Sequence, residues 1–133
     1  MSDTENDIFA DNPENLLKGN LYRLSGKKPV PCSFEEYITF MKSAENRIIE
    51  QTRIGDLLVS TIFTEIDHAF GTGEKLLFET KVFGLPDDAQ PRWRFSTWNQ
   101  AVREHRRLVV MLENKGTGAL VEEIRRQQEQ PRS

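Results

Sequence analysis

Residues 47–66 read RIIEQTRIGDLLVSTIFTEI, and they contain the clearest structural signal in the chain. It holds two runs rich in β-branched residues, 47–54 and 57–66, which are separated only by Gly55-Asp56. A two-residue connection that contains glycine is typical of a tight hairpin, because glycine adopts positive φ without steric cost. The stretch therefore predicts two antiparallel strands with a turn at Gly55-Asp56.

Further strands are predicted on both sides of this hairpin. Residues 76–83 (LLFETKVF) follow a glycine-containing loop, and residues 92–95 (RWRF) follow the turn at 85–88. Because each connection is short, the strands should form an antiparallel meander. On the N-terminal side, residues 21–30 predict a short strand pair or an extended edge, with a turn at Ser25-Gly26.

Two amphipathic helices are predicted from capping boxes, in which a Ser or Thr hydroxyl and a Glu or Gln three residues later satisfy free backbone N–H groups. Ser33 and Glu36 begin the first helix, which should end near residue 45 or 46. Thr97 and Gln100 begin the second, which should end at Asn114-Lys115-Gly116. The apolar stripe predicted to be buried is Phe34, Tyr37, Ile38 and Met41 in the first helix, and Trp98, Ala101, Val102, His105, Leu108, Val109 and Leu112 in the second.

These elements predict an α+β fold in which an antiparallel sheet of about four to five strands packs against two helices. The chain has 133 residues, which suits one domain. Residues 21–115 are expected to form that domain. Residues 1–20, which are acidic and amide-rich, are expected to be a mobile arm, and residues 116–133 a short charged helix, over 119–128, and tail.

The charge distribution is uneven along the chain. The formal net charge is −3, which argues against general nucleic-acid binding, yet nine of the 18 Lys and Arg residues lie in residues 91–133. Cys32 is alone, so neither an internal disulfide nor a cysteine-based zinc site is predicted. The start, MSDTENDIF, has no leader pattern and no stretch reaches membrane-span length, so we expect a cytoplasmic protein, with self-association open.

Three segments stand out as motifs: LLVSTIFTEIDHAFG at 57–71, LLFETKVFG at 76–84 and RFSTWNQAVREH at 94–105, preceded by LSGKKPVP at 24–31. Together they resemble a family of small uncharacterised proteins encoded by bacteriophages and prophages. The resemblance covers roughly residues 21–105 and has the pattern VSTxFxxxDHxFG, LLFETxVFG and STWxxAxxxH. It implies a phage-related origin, a bacterial host cytoplasm and a shared fold, with no established reaction.

Both histidines are candidate site residues. His68 follows Asp67, and a carboxylate beside an imidazole suits general base catalysis. His105 lies on the apolar stripe of the second helix, where a buried, hydrogen-bonded imidazole is the competing interpretation and the one we expect.

Glu79 is a candidate because it lies within an apolar strand. A register that joins Glu65 to Glu79 would gather Glu65, Asp67 and Glu79 on one sheet face, where they could hold a divalent cation. The alternative is a solvated face on which Lys81 neutralises Glu79. No metal or cofactor is predicted, because no ligand motif supports one.

Residues 92–98 combine cations with aromatic rings, which is the combination that binds and stacks nucleotides. Arg92 and Arg94 would contact phosphates, and Trp93 or Trp98 would stack on a base. Alternation along the strand puts both arginines on the side opposite Trp93, so the competing interpretation has Trp93 in the core and the arginines in water.

Three functions remain open. The first, and preferred, is a non-catalytic phage or prophage accessory protein that sequesters an anionic nucleotide signal of host defence, with His68, Glu79 or His105 at the ligand's polar edges. The second is a protein–protein inhibitor or assembly component acting on a host or phage complex. The third is a small enzyme that uses Asp67, His68, Glu79 and His105.

Overall fold

A computed structural model describes residues 21–64 and 75–129 of the chain. Predictions for residues 1–20, for residues 65–74, which include Glu65, Asp67 and His68, and for residues 130–133 lie outside the described residues. Within them the fold is α+β, as predicted, with a two-stranded and a four-stranded antiparallel sheet and three α-helices. None of these helices has the length and apolar character of a bilayer span.

The four-stranded sheet is the predicted meander. Its strands are β3 (Ile48–Ile54), β4 (Leu57–Phe63), β5 (Phe78–Phe83) and β6 (Arg92–Phe95), in that order across the sheet. Gly55 has a φ of 59°, which confirms the glycine turn between β3 and β4. The predicted start of the third strand at residue 76 is wrong, because the pairing of β5 begins at Phe78. The end predicted at residue 66 for the preceding strand lies outside the described residues.

The N-terminal part of the domain is a hairpin followed by a helix. Strands β1 (Tyr22–Ser25) and β2 (Lys28–Pro31) form the predicted strand pair. Helix α1 (Phe34–Met41) begins with the predicted capping box, in which Ser33 Oγ accepts from the Glu36 backbone N–H. It ends before the predicted residues 45–46, where a separate 3₁₀ turn (Ala44–Asn46) precedes β3.

The buried stripe predicted for α1 is wrong. None of its residues is buried, and Ile38 is 41% exposed. Phe40, which is not on that stripe, makes the core contact, with its ring edge-on to Phe63 at a centroid distance of 5.8 Å. The helix packs mainly against β1 and meets the core through Phe40, so the side of the helix with the most apolar residues is not the side that faces the core.

Two long helices follow the sheet. Helix α2 (Trp98–Lys115) has the predicted capping box of Thr97 and Gln100 and ends at Gly116, whose φ is 82°. Its stripe is confirmed at Ala101, His105, Leu108 and Leu112, which are buried. Helix α3 (Thr117–Glu129) packs into the same core through Leu120, which is fully buried. The boundary predicted at residue 115 therefore separates two helices that share one core.

The core consists of two apolar clusters on the helix-facing side of the sheet. One contains Leu57, Val59, Val82, Leu85, Leu108, Leu112 and Leu120, and the other contains Tyr22, Phe63, Leu77, Phe78 and Ala101. Trp93 packs against the first cluster, and Phe95 and Trp98 pack against the second.

Candidate functional site

The side of the four-stranded sheet turned away from α2 carries a cluster of charged side chains. Strand pairing aligns Ile62, Glu79 and Arg94 in one row, and Ser60, Lys81 and Arg92 in the next. Because side chains alternate along a strand, these six residues share one surface, which we call the arginine face. The register predicted to join Glu65 to Glu79 is wrong, since Glu79 is paired with Ile62.

Glu79 lies at the centre of the arginine face. It is only 5% exposed, so the predicted solvated setting for this carboxylate is wrong. Arg94 Nε donates to Glu79 Oε2 at 3.0 Å, and Arg92 Nη1 and Lys81 Nζ approach the carboxylate at 3.8 and 3.9 Å. Arg94 lies directly opposite Glu79 and Arg92 lies diagonal to it on the neighbouring strand, whereas Lys81 is two residues along the same strand and therefore on the same side. Three cations therefore share one carboxylate.

A cleft opens next to the arginine face, between the end of β6 and the flank of α2. Its volume is about 420 Å³, and its lining includes Leu76, Arg94, Phe95, Gln100, Arg103 and Arg107. Arg94 belongs to both the cleft and the arginine face. We call this cavity the arginine cleft.

Arg107 and Arg103 contribute differently to the arginine cleft. Arg107 forms two hydrogen bonds to Glu104 and two to Glu123 of α3, and these bonds raise its pKa above the ordinary range. It therefore fixes α3 against α2. Arg103 is exposed and has no hydrogen-bond or ion-pair partner among residues 21–64 and 75–129, so its donors are available.

His105 lies on the other side of the sheet, in what we call the polar layer, formed by Thr52, Thr61, Thr80 and His105. The imidazole is fully buried, as predicted. Its Nε2 is hydrogen-bonded to Thr52 Oγ1 at 2.9 Å and its Nδ1 to Thr61 Oγ1 at 2.8 Å, and Thr61 Oγ1 is bonded to Thr80 Oγ1 at 2.7 Å.

The polar layer separates the two apolar clusters. On β4, Thr61 stands between Val59 of one cluster and Phe63 of the other, and on α2 His105 stands between Ala101 and Leu108. Buried polar groups are tolerated when they are hydrogen-bonded, and here the two ring nitrogens and two threonine hydroxyls are satisfied by one another. His105 is therefore a structural residue in this geometry.

We expect His105 to make stability depend on pH. Burial lowers the pKa of its imidazole, an effect opposed by Glu50 Oε2 at 4.0 Å and reinforced by Arg106. The unfolded chain, with a histidine pKa of about 6.5, then binds the proton more readily than the folded one. Stability should be unaffected by this group above about pH 7 and should fall as the pH drops below about 6.5.

Urea unfolding at about pH 7.5 and about pH 5.5 measures this effect. The loss between the two pH values should be larger for the wild type than for His105→Gln, which cannot titrate. Equal losses in both proteins would contradict the assignment, because carboxylates and other groups titrate in both.

The predicted site residues fall into separate groups. Glu79, Arg92 and Arg94 meet on the arginine face, whereas Trp93, Trp98 and His105 lie on the helix-facing side. The structure therefore does not bring the tryptophans to the arginines, and Glu79 and His105 do not form one cluster. Among the described residues, no three His, Cys, Asp or Glu side chains gather where they could hold a metal ion.

Sequence reasoning missed Arg103 and the threonines. The threonines carry a signal: Val59-Thr61-Phe63 and Phe78-Thr80-Val82 each interrupt the apolar side of a strand with one hydroxyl. Arg103 carries none, because an arginine on an exposed helix side is ordinary. Comparison with models of protein families, with curated proteins and with solved structures finds no match. The function therefore has to be inferred from this geometry.

Proposed function

We propose that this chain is a non-catalytic binding protein that holds a small anionic ligand, of the nucleotide class, on its arginine face. The observation that carries the proposal is the set of three cations, Lys81, Arg92 and Arg94, around the one carboxylate of Glu79. The cluster keeps an excess of positive charge. A ligand phosphate would neutralise that excess.

The hydrogen bonding of the cluster supports a phosphate ligand. Arg94 uses its Nε on Glu79, and no described residue accepts a hydrogen bond from its two terminal nitrogens. Arg92 approaches Glu79 at 3.8 Å without a hydrogen bond. Guanidinium groups with free terminal N–H donors match the oxygens of a phosphate in charge and in geometry.

The biological role proposed here is that of a phage or prophage accessory protein acting in a bacterial host. The resemblance at 57–71, 76–84 and 94–105 supports that origin, and sequestering a nucleotide signal of host defence requires affinity without a reaction. The location of Glu79 and His105 on opposite sides of the sheet also favours binding over catalysis by these two residues.

A second candidate is a protein–protein inhibitor that uses the same surface. Ile48 pairs with Ile62 beside the arginine face and is 41% exposed. An exposed apolar side chain next to arginines is typical of interface centres. In that case an acidic surface of a host protein would replace the phosphate.

Arg92→Ala is the cleanest test of the proposal. Its side chain is 47% exposed and makes only a long ion pair, so the variant should fold normally. Calorimetric titration with cyclic and linear nucleotides should show binding by the wild type that is weakened about 10- to 100-fold in the variant. Arg126→Ala, which removes an exposed arginine of α3, should bind like the wild type.

The Glu79→Gln variant tests whether the carboxylate of Glu79 only holds the three cations in place or also contacts the ligand. If Glu79 only organises the cations, its neutralisation should raise nucleotide affinity about 10-fold, because a negative charge near the phosphate is removed. It should also lower the free energy of unfolding by about 1–2 kcal/mol, since Arg94 loses its charged partner. Weaker nucleotide binding would instead assign Glu79 to the ligand.

The binding proposal fails if no nucleotide produces heat or a melting shift at about millimolar concentration, the range of marginal affinity. Retention of a host protein by the wild type, with loss of that protein from the Arg92→Ala variant, would then favour the inhibitor. Native mass spectrometry of the protein purified from host lysate would detect either kind of partner and would report the number of subunits.

A further inference from the structure

We propose that the arginine cleft receives the nucleoside part of the ligand and that Arg103 is a second phosphate-binding residue, together with Arg94. The inference rests on the proposed function of the arginine face and specifies its ligand. It predicts that a phosphate ester with an organic part binds more tightly than inorganic polyphosphate. It also adds a residue, Arg103, that lies outside the three-cation cluster.

Arg94 connects the arginine face to the arginine cleft. Its side chain contacts Glu79 on the arginine face and also lines the cleft. A phosphate bound by the free terminal nitrogens of Arg94 would therefore lie at the mouth of the cleft. The rest of the same ligand has a cavity beside it.

The lining of the arginine cleft carries a net positive charge. Three arginines and one carboxylate, that of Glu104, line it. Arg107 is held by Glu104 and Glu123, which leaves Arg94 and Arg103 with available donors. Two guanidinium groups on opposite walls, one on β6 and one on α2, can share a single phosphate chain.

The composition and size of the arginine cleft suit a small organic molecule. Leu76 and Phe95 supply apolar surface, and about 420 Å³ lies within the usual range for sites that hold a small organic molecule. Gln100 lies in the same wall. Its Oε1 accepts hydrogen bonds from Ser96 and Thr97, which orients the amide, and its Nε2 has no acceptor among the described residues. That amide can donate to a ring nitrogen or carbonyl of a base.

The test compares ATP with inorganic tripolyphosphate, which has the same number of phosphates but no nucleoside. Isothermal titration should give about 10-fold tighter binding of ATP than of tripolyphosphate by the wild type. Arg103→Ala should weaken ATP binding about 10-fold, and Arg103→Lys should restore part of it, since lysine keeps the charge but not the planar fork. The variants should melt like the wild type, because Arg103 is exposed and lacks described partners.

Arg106→Ala is the matched control. Arg106 is on the same helix and its side chain is 70% exposed, but it contacts Glu50 and does not line the cleft. Its replacement should leave ATP binding unchanged. A loss equal to that of Arg103→Ala would overturn the proposal, because it would show a general effect of helix charge.

The remaining outcomes distinguish this inference from the proposed function. Suppose that ATP and tripolyphosphate bind equally well and that Arg92→Ala weakens this binding but Arg103→Ala does not. That result would overturn the proposal that the cleft binds the nucleoside, and it would still support phosphate binding on the arginine face. Binding of ATP that depends on Arg103 but not on Arg92 would support the cleft and overturn the three-cation site. Absence of binding by both compounds at about millimolar concentration would overturn both.

Discussion

Replacement of Gly84 by alanine is expected to lower the free energy of unfolding by about 3 kcal/mol. Gly84 follows β5 directly and has a φ of 97°, a value that side chains with a Cβ rarely adopt. An added Cβ would also lie less than 3.0 Å from the carbonyl oxygen of Asp56 and 3.3 Å from Leu57 Cα. Both are backbone atoms of the β3–β4 hairpin, so they cannot move aside as the end of a flexible side chain can.

Gly55→Ala is the control for this prediction. Gly55 has a φ of 59° but no heavy atom within 4 Å of an added Cβ, so alanine there should cost only the backbone strain, about 1 kcal/mol. Urea unfolding followed by circular dichroism measures both variants. If Gly84→Ala lowers the free energy of unfolding no more than Gly55→Ala does, the end of β5 does not lie as close to the hairpin turn as described.

His105→Leu is expected to lower the free energy of unfolding by about 3 kcal/mol, although leucine fills nearly the same space as histidine. The reason is that the polar layer loses two hydrogen bonds at once. Thr52 Oγ1 and Thr61 Oγ1 would face an apolar side chain, and the buried Thr61 would keep only its bond to Thr80. Each lost hydrogen bond costs about 0.5–1.5 kcal/mol, so the loss of two accounts for up to about 3 kcal/mol.

His105→Gln should recover about half of that loss, since its amide can replace one of the two bonds. Chemical unfolding of the three proteins at a pH of about 7.5, where the wild-type imidazole is neutral, measures the difference. If the leucine variant were as stable as the wild type, His105 would serve packing alone. Equal loss in both variants would mean that volume rather than hydrogen bonding sets its contribution.

The candidate site was predictable only in part. Alternation along residues 92–95 correctly separates the arginines from Trp93, because side-chain direction in a strand is a local property. The structure places Trp93 and Trp98 against the core on the helix-facing side, away from the arginines. Lys81, two residues along the same strand, could be predicted as a partner of Glu79, whereas Arg92 and Arg94 required the register between β5 and β6.

The four-stranded meander, the glycine turn and both capping boxes could be predicted from the amino-acid sequence alone. Each depends on residues only a few positions apart, so its physical cause lies within the segment: glycine at positive φ, a hydroxyl at a helix start, or a repeat of two or 3.6 residues. The burial of His105 belongs to this group, because the apolar stripe of its helix predicts it.

Which distant residues meet depends on tertiary packing. The register between β5 and β6 brings Glu79 to Arg94 and Arg92, and the packing of α2 on the sheet brings His105 to Thr52 and Thr61. The packing of α1 beside β1 places Phe40, rather than the predicted stripe, against the core. Such contacts join residues far apart in the chain, and many registers and packings share the same local pattern. The choice among them depends on the burial and hydrogen bonding of the whole domain.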